Sequence, residues 1–254
     1  MMEYLMSVNI DSLKKAIDQV VFAADQDDCH PVFRGVLISL KGEQATFVAT
    51  DKIRLARKIV TLAEPVASSR DLLVPARELD QLWLALRRGR QAVKIYSDDY
   101  QAQFQSGSVD QTIQLIDKEY VNYESALPNC YNSRCVVNAH ELERIIRPFS
   151  KGSLSVIKLA LEAGQLTVLT SQAYTKSNFE KVRYDQEVGH IACDVEGKTP
   201  TTVVLDGKYL RDALDHIEGS VAIECISPRD VVIFRSVDDE GYMFALMPMI
   251  KPCR

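Results

Sequence analysis

VFRGVLISLKGEQATFVATDKIRLA, residues 32–56, reads as an antiparallel hairpin that turns a corner into a third strand. Val36, Ile38 and Leu40 alternate with Leu37, Ser39 and Lys41, and after a turn at Lys41-Gly42-Glu43 the residues Ala45, Phe47 and Ala49 alternate with Thr46, Val48 and Thr50. A period of two sends successive side chains to opposite faces of a sheet, so the run has one face for a core. From Ala49-Thr50-Asp51 through Arg54-Leu55-Ala56 no helical period follows. A short polar break, a basic residue and an apolar pair predict a tight corner.

Working outward, Met6 to Asn9 reads as a short strand, and Asp11 as the cap of a helix that buries Leu13, Ala16, Ile17, Val20 and Val21, with Lys14, Lys15 and Asp18 outside. Asp27-Asp28 and Pro31 end it. Beyond the corner come a strand from Arg57 to Leu62, a loop at Glu64–Ser69, a strand at Leu72–Val74, and a helix opened by Pro75 and stopped by Gly89, with Leu79, Leu82, Trp83 and Leu86 on its apolar face. Strands follow at Ala92–Tyr96, Tyr100–Gln105 and Gln111–Ile116. Residues 118–133, rich in Asn, Tyr, Pro and Ser, read as a linker between domains. The order then starts again: a strand at Cys135–Val137, a helix capped by Asn138, a hairpin turning at Glu162-Ala163-Gly164, a long strand over Thr175–Tyr184, a strand at Thr202–Leu205, a helix capped by Asp206, and strands at Val221–Cys225, Val231–Arg235 and Tyr242–Met247. VLISLKGEQATFVAT answers IKLALEAGQLTVLT, and LLVPARELDQLWLAL answers TVVLDGKYLRDALDHI, at an offset of about 120 to 130 residues, which is a domain length. The expectation is an α+β chain with domains at 1–117 and 134–254, joined by 118–133.

At 254 residues, 46% hydrophobic and 26% charged, the composition is globular. No apolar run reaches the ~18 residues of a transmembrane helix, and MMEYLMSVNIDSLKK has no signal-type apolar core, so a cytoplasmic location without a membrane partner is expected. The cysteines, Cys29, Cys130, Cys135, Cys193, Cys225 and Cys253, form no C-x-x-C pair and read as reduced packing thiols, with no metal site. The formal net charge of −5 does not advertise a nucleic-acid binder; DNA contact requires positive charge segregated onto one surface. The helical segments carry net +2 and the remainder −7.

Catalytic residues are not expected, nor a cofactor. His30, His140, His190 and His216 sit in no His-Glu-x-x-His, and neither Gly-x-Ser-x-Gly nor a Walker-type loop occurs. The pairs Asp27-Asp28, Asp98-Asp99 and Asp238-Asp239 fall in turns, where Asp bonds backbone amides.

VFRGVLIS followed by VATD-x-x-RLA resembles the middle domain of the bacterial DNA polymerase III β subunit (β sliding clamp) family, and Tyr242-Met243-Phe244-Ala245-Leu246-Met247-Pro248-Met249 resembles that family's last strand. The resemblance spans nearly the whole chain and covers the middle and last of three domains. It implies two tandem clamp-type (processivity fold) domains, each with two helices packed on antiparallel sheets, and a processivity factor rather than an enzyme: a ring around duplex DNA that tethers polymerase and other partners, opened by a clamp loader. The helices of the family line the hole and meet phosphates without reading bases; here that implies Lys14, Lys15, Arg77, Arg88, Arg144, Arg147, Lys151, Lys208 and Arg211, with Arg144, Arg147 and Lys151 on one helix face. The family's peptide groove lies between its middle and last domains. Its positions fall on Phe33, Thr50, Lys52, Arg54 and Leu55 of the hairpin and corner, on Val121, Ser125 and Ala126 of the linker, and on Ala245, Leu246, Met247, Pro248 and Met249. Methionine suits a groove that accepts several peptides. Lys52-Ile53 stands where the family usually has Gly-His, Val121 where proline is usual, Glu124-Ser125 where basic residues are common, and the chain continues past Met249. A ring of the family's size implies a head-to-tail homotrimer of two-domain chains, with the strands over 92–105 as the pairing edge of the first domain. The alternative is a clamp-derived peptide-binding protein that does not encircle DNA and sequesters or recruits clamp partners.

Overall fold

The computed structural model describes residues 2–26, 30–151, 155–175 and 181–249, and of residues 172–175 and 181–184 the backbone only. Asp27-Asp28, Cys29, the residues after Met249 and part of the expected strand over 175–184 lie outside the described residues. The fold is α+β, with helices beside antiparallel sheets. It divides into two compact units, Met1–Asn122 and Tyr123–Arg254, and the division falls inside the expected linker.

In the first unit β1 (Glu3–Val8) leads to α1 (Ile10–Val21), then to β2 (Gly35–Lys41), β3 (Gln44–Thr50), β4 (Arg54–Thr61) and β5 (Arg70–Pro75), then to α2 (Ala76–Leu86) and β6 (Val93–Ser97), β7 (Gln101–Ser106) and β8 (Val109–Gln114). The strands pair antiparallel in the orders β4-β3-β2-β5 and β1-β6-β7-β8. The hairpin register closes at Lys41 opposite Gln44, so Gly42 and Glu43 make the turn, and Gly42 takes φ +58, which glycine adopts without a Cβ penalty. Val36, Ile38, Leu40, Ala45, Phe47 and Ala49 are buried as the alternation requires. So are Leu37 and Val48, because the hairpin is covered on both faces. α1 buries Leu13, Ala16, Ile17 and Val20, and α2 buries Leu79, Leu82 and Leu86, with Trp83 half-buried.

In the second unit β9 (Ser133–Asn138) leads to α3 (Ala139–Ile146), then to β10 (Val156–Glu162), β11 (Gln165–Thr175), β12 (Lys181–Ala192), β13 (Val195–Gly197) and β14 (Thr201–Asp206), then to α4 (Gly207–Leu214) and β15 (Ser220–Cys225), β16 (Val232–Ser236) and β17 (Tyr242–Leu246). Its strands pair as β12-β11-β10-β14 and β13-β9-β15-β16-β17. The element order expected from the sequence repeat is present in both units, with the short β13 added in the second.

Both units end in the same way. After β8 the chain crosses to the other sheet, and the Ile116 N–H donates to the Leu73 carbonyl of β5 at 2.8 Å; after β17 the Met249 N–H donates to the Val204 carbonyl of β14 at 2.7 Å. This strap ties one sheet to the edge of the next. It is why Pro248 is buried rather than frayed.

Four expectations are corrected. Asn9 rather than Asp11 caps α1: its side-chain oxygen accepts from the amides of Asp11 and Ser12, while Asp11 pairs with Lys14 at 3.0 Å. The helix begins one residue before Asp11 because Ile10 is already buried in the core. α3 stops at Ile146 because Pro148 has no N–H and disfavours helix in the residue before it; Arg147 sits in a 3-10 turn and Lys151 lies off the helix, so Arg144, Arg147 and Lys151 do not share a helix face. The third strand starts at Arg54 instead of Arg57. Finally, β6 and β7, the proposed pairing edge, are each hydrogen-bonded on both sides; the outer strands of that sheet are β1 and β8.

Candidate functional site

The corner between β3 and β4 is built by a short run of side chains. Thr50 Oγ1 donates to the Arg54 carbonyl at 2.6 Å and accepts from the Lys52 amide at 3.1 Å. Asp51 Oδ1 accepts from the amides of Ile53 (3.0 Å) and Arg54 (2.9 Å), and its Oδ2 accepts from Arg54 Nε at 3.0 Å. The Arg54 guanidinium also donates to the Phe22 carbonyl at 2.7 Å and lies 5.5 Å from the Phe22 ring centre, which locks the corner to the end of α1. Within this frame Lys52 has φ +77, and it is the one non-glycine residue with positive φ among the described residues. Its Nζ lies 4.8 Å from the Phe33 ring centre and 3.2 Å from His30 Nδ1, and the His30 and Phe33 rings meet edge to face. Phe33, Thr50, Lys52 and Arg54 are therefore brought together. Leu55, 7% exposed, is wall material beneath them. Phe22 and His30 belong to the same cluster, and no sequence signal points to them; they lie 20 or more residues from the corner, and only tertiary packing gathers them.

Of the expected residues in the second unit, Ala245 and Leu246 are buried in β17, Pro248 is buried in the strap, and Met249 is held through its amide. Met247 differs, with 44% of its surface in solvent. Val121, Ser125 and Ala126 are exposed, the last two in a 3-10 turn over Tyr123–Ala126.

The nine basic residues expected to face DNA are not equivalent. Lys14 is paired with Asp11, Arg147 Nε donates to the buried Glu143 carboxylate at 2.6 Å, and Arg211 lies 3.9 Å from both Asp212 and Asp215. The Glu143 hydrogen bond raises Arg147 above its ordinary value, and burial, followed by the Glu143 charge, pushes the Asp215 carboxyl up. Lys15, Arg77, Arg88, Arg144, Lys151 and Lys208 are exposed. Arg88 gathers with Arg87 and Arg90 at the C-terminal end of α2, where the helix dipole favours cations, beside Asp11. Arg77 instead lines a cleft of about 680 Å³ with Val21, Asp25, Pro31, Arg34 and Asp80 at the opposite end of the α1–α2 pair.

Of the expected acidic turn pairs, Asp98-Asp99 makes local turn bonds, Asp238 bonds a distant amide, and Asp27-Asp28 lies outside the described residues. Asp98 Oδ1 accepts from the amides of Tyr100 and Gln101, which holds its carboxyl below the ordinary range, and Asp238 accepts from the Ser220 amide. His216 donates Nδ1–H to the Asp212 carbonyl. Cys135 and Cys225 are buried; burial raises the Cys135 thiol and pushes Cys225 up to about 12. Among the described residues no group of three or more His, Cys, Asp or Glu side chains is placed to hold a metal ion, and no helix is long and apolar enough to cross a membrane.

The family model for the DNA polymerase III beta subunit, central domain, matches residues 7–122. The chain is 23% identical over 256 residues to the beta sliding clamp of Bacillus subtilis (strain 168), covering 97% of this chain and 64% of that protein. It is 26% identical over 223 residues to the beta sliding clamp homolog GriR of Streptomyces muensis, covering 85% and 56%. In fold it matches the crystal structure of the Bacillus subtilis DNA polymerase sliding clamp with a TM-score of 0.84 at 24% identity, over 97% of this chain and 64% of the other. It matches a Pseudomonas aeruginosa sliding clamp bound to griselimycin with a TM-score of 0.84 at 21% identity, over 97% and 65%. The chain thus spans less than two thirds of the length of each of these relatives.

Proposed function

We propose that the chain, which is similar over most of its length to the DNA polymerase III beta subunit (β sliding clamp) family, is a non-enzymatic, cytoplasmic processivity factor that encircles duplex DNA and holds polymerase or other partners by docking their peptides. The observation that carries this is the corner around Arg54. A guanidinium, a carboxylate and a threonine hydroxyl fix an exposed turn whose outward residues, Lys52 and Ile53, do nothing for the core. Rigid presentation of exposed side chains is what peptide recognition needs. Docking residues are Phe33, Thr50, Lys52, Arg54 and Leu55 on the first unit, Val121, Ser125 and Ala126 between 118 and 133, and Ala245 to Met249 on the second, with Met247 the exposed apolar contact. DNA is met without base readout by Lys15, Arg88, Arg144 and Lys208 above all. A clamp loader opens a head-to-tail homotrimer. In that ring β8 supplies the pairing edge of the first unit, since β1 is blunted by an irregularity between Tyr4 and Met6.

Retention on nicked circular DNA, followed by linearisation, tests the encircling reading. A ring stays on the circle, leaves the linear form, and has a solution mass near three times 28.5 kDa. A second reading, a clamp-derived peptide-binding protein that does not encircle DNA, is favoured by the neutralisation of Lys14, Arg147 and Arg211 by neighbouring acids. A monomer that binds clamp-docking peptides but is not retained on circles would establish it.

A further inference from the structure

We propose that Lys52 is the specificity-determining residue of the corner and reads an acidic side chain on the docking peptide; this rests on the peptide-docking reading above. The backbone carries the first part of the argument. Lys52 occupies the left-handed region at φ +77, where a Cβ crowds the following carbonyl and glycine is the unstrained choice. A lysine kept there has to be accounted for by what its side chain does.

That side chain is already ordered. Its ammonium lies over the Phe33 ring and donates to His30 Nδ1, which puts the imidazole proton of that contact on Nε2. An ammonium has three donors, and His30 takes one. The other two face an exposed surface, and no carboxylate pairs with Lys52 among the described residues. The nearest acid in sequence, Asp51, is consumed by Arg54 and by the amides of Ile53 and Arg54. A lysine normally loses much rotamer freedom on forming an ion pair. Here Phe33 and His30 have ordered the chain beforehand, so a partner carboxylate meets a positioned cation. Ile53, 47% exposed beside it, offers apolar contact to the neighbouring peptide residue. The ligand this combination fits is a peptide with Asp or Glu adjacent to an apolar residue.

The test uses the full chain and fluorescein-labelled apolar peptides that differ at one position as Asp, Asn or Lys. Anisotropy titrations are run at low and high salt on the wild type, Lys52→Gly and Lys52→Glu. The wild type should favour the Asp peptide over the Asn peptide about two- to fivefold at low salt, the range of an exposed ion pair, and the preference should shrink at high salt. Lys52→Glu should favour the Lys peptide. Lys52→Gly, which relieves the backbone, should stay folded and bind the Asp and Asn peptides equally. Equal binding of the Asp and Asn peptides by the wild type, or a preference that survives in Lys52→Gly, overturns the proposal and leaves the docking reading standing. Failure of the wild type to bind any of the three overturns both.

Discussion

Arg54→Ala is expected to unfold the first unit much more readily, and the size of the effect follows from the bonds that this side chain makes. The Arg54 side chain is about 10% exposed, and its Asp51 partner about 12%. Truncation removes a charge-assisted hydrogen bond to the Phe22 carbonyl and the pairing with Asp51, each worth roughly 1.5–3 kcal/mol for a charged donor, and the stacking on Phe22, worth roughly 0.5–1 kcal/mol. Against this, Asp51 keeps the amides of Ile53 and Arg54 and is not left bare, and the desolvation of the arginine is recovered. The net loss should be about 3 kcal/mol. Trp83, the single tryptophan of the chain, sits half-buried in α2, so its fluorescence during urea unfolding reports on this unit. With a urea slope of about 1.5 kcal/mol/M for a unit of this size, the midpoint should fall by about 2 M. Arg54→Lys should recover less than half of that, because an ammonium cannot serve Asp51 and the Phe22 carbonyl with the same planar fork. A midpoint within about 0.4 M of the wild type would show that the corner is not held by this guanidinium.

Met247→Gln should leave the stability to urea within about 0.5 kcal/mol of the wild type, as expected at an exposed site, and weaken binding of an apolar docking peptide by on the order of 2 kcal/mol; an unchanged anisotropy titration would remove Met247 from the docking surface. Arg144→Glu combined with Lys208→Glu should reduce retention on nicked circular DNA, the more so at low salt, without changing peptide affinity. Arg147→Glu should instead destabilise the fold, since it sets a second carboxylate against the buried Glu143; thermal melts separate the two outcomes. Asp215→Asn should raise the melting temperature at neutral pH and lose that advantage under acid: the folded carboxyl is raised, so its ionised form costs stability once the pH exceeds its unfolded value. The Cys225 thiol is likewise raised, so its contribution is fully present below the ordinary thiol value and is lost as pH climbs toward about 12. At neutral pH, alkylation mapped by mass spectrometry should mark the exposed Cys130 well before Cys135 or Cys225.

Much of this fold could be read from periodicity because the strands obey it: each buried position of the Val36–Ala49 hairpin is apolar, and both hairpin turns carry glycine at positive φ. The misses have local physical causes. Asn9 and Asp11 are both good caps, and the choice between them depends on Ile10 being buried, which no local pattern reveals. The early end of α3 was written at Pro148, a signal outweighed by the spacing of Arg144, Arg147 and Lys151. The candidate site was legible only along the chain. Thr50, Asp51, Lys52 and Arg54 are consecutive enough to suggest a corner, but the partners that give Lys52 and Arg54 their orientation, His30, Phe33 and Phe22, are brought in by the close of α1 and the turn before β2. Charge counting had the same weakness: a segment's net charge does not say which cations stand against an acid, and Arg147 and Arg211 lie beside Glu143 and Asp215.

The repeated strap bears on what Met247 is for. Counting back two residues from the anchoring amide gives Gln114 in the first unit, before Ile116, and Met247 in the second, before Met249. Both positions face solvent, so the architecture, rather than local accident, directs this side chain outward. In the first unit the position is filled as an exposed site ordinarily is, by a polar amide. The second unit places there a flexible, polarisable apolar side chain that contributes little to its own core, and it does so beside a buried proline and an anchored amide that keep the backbone still. An exposed apolar residue taken singly needs no explanation. One that departs from its internal counterpart at a position the fold holds outward is better explained by a surface that closes over it than by the stability of the chain that carries it.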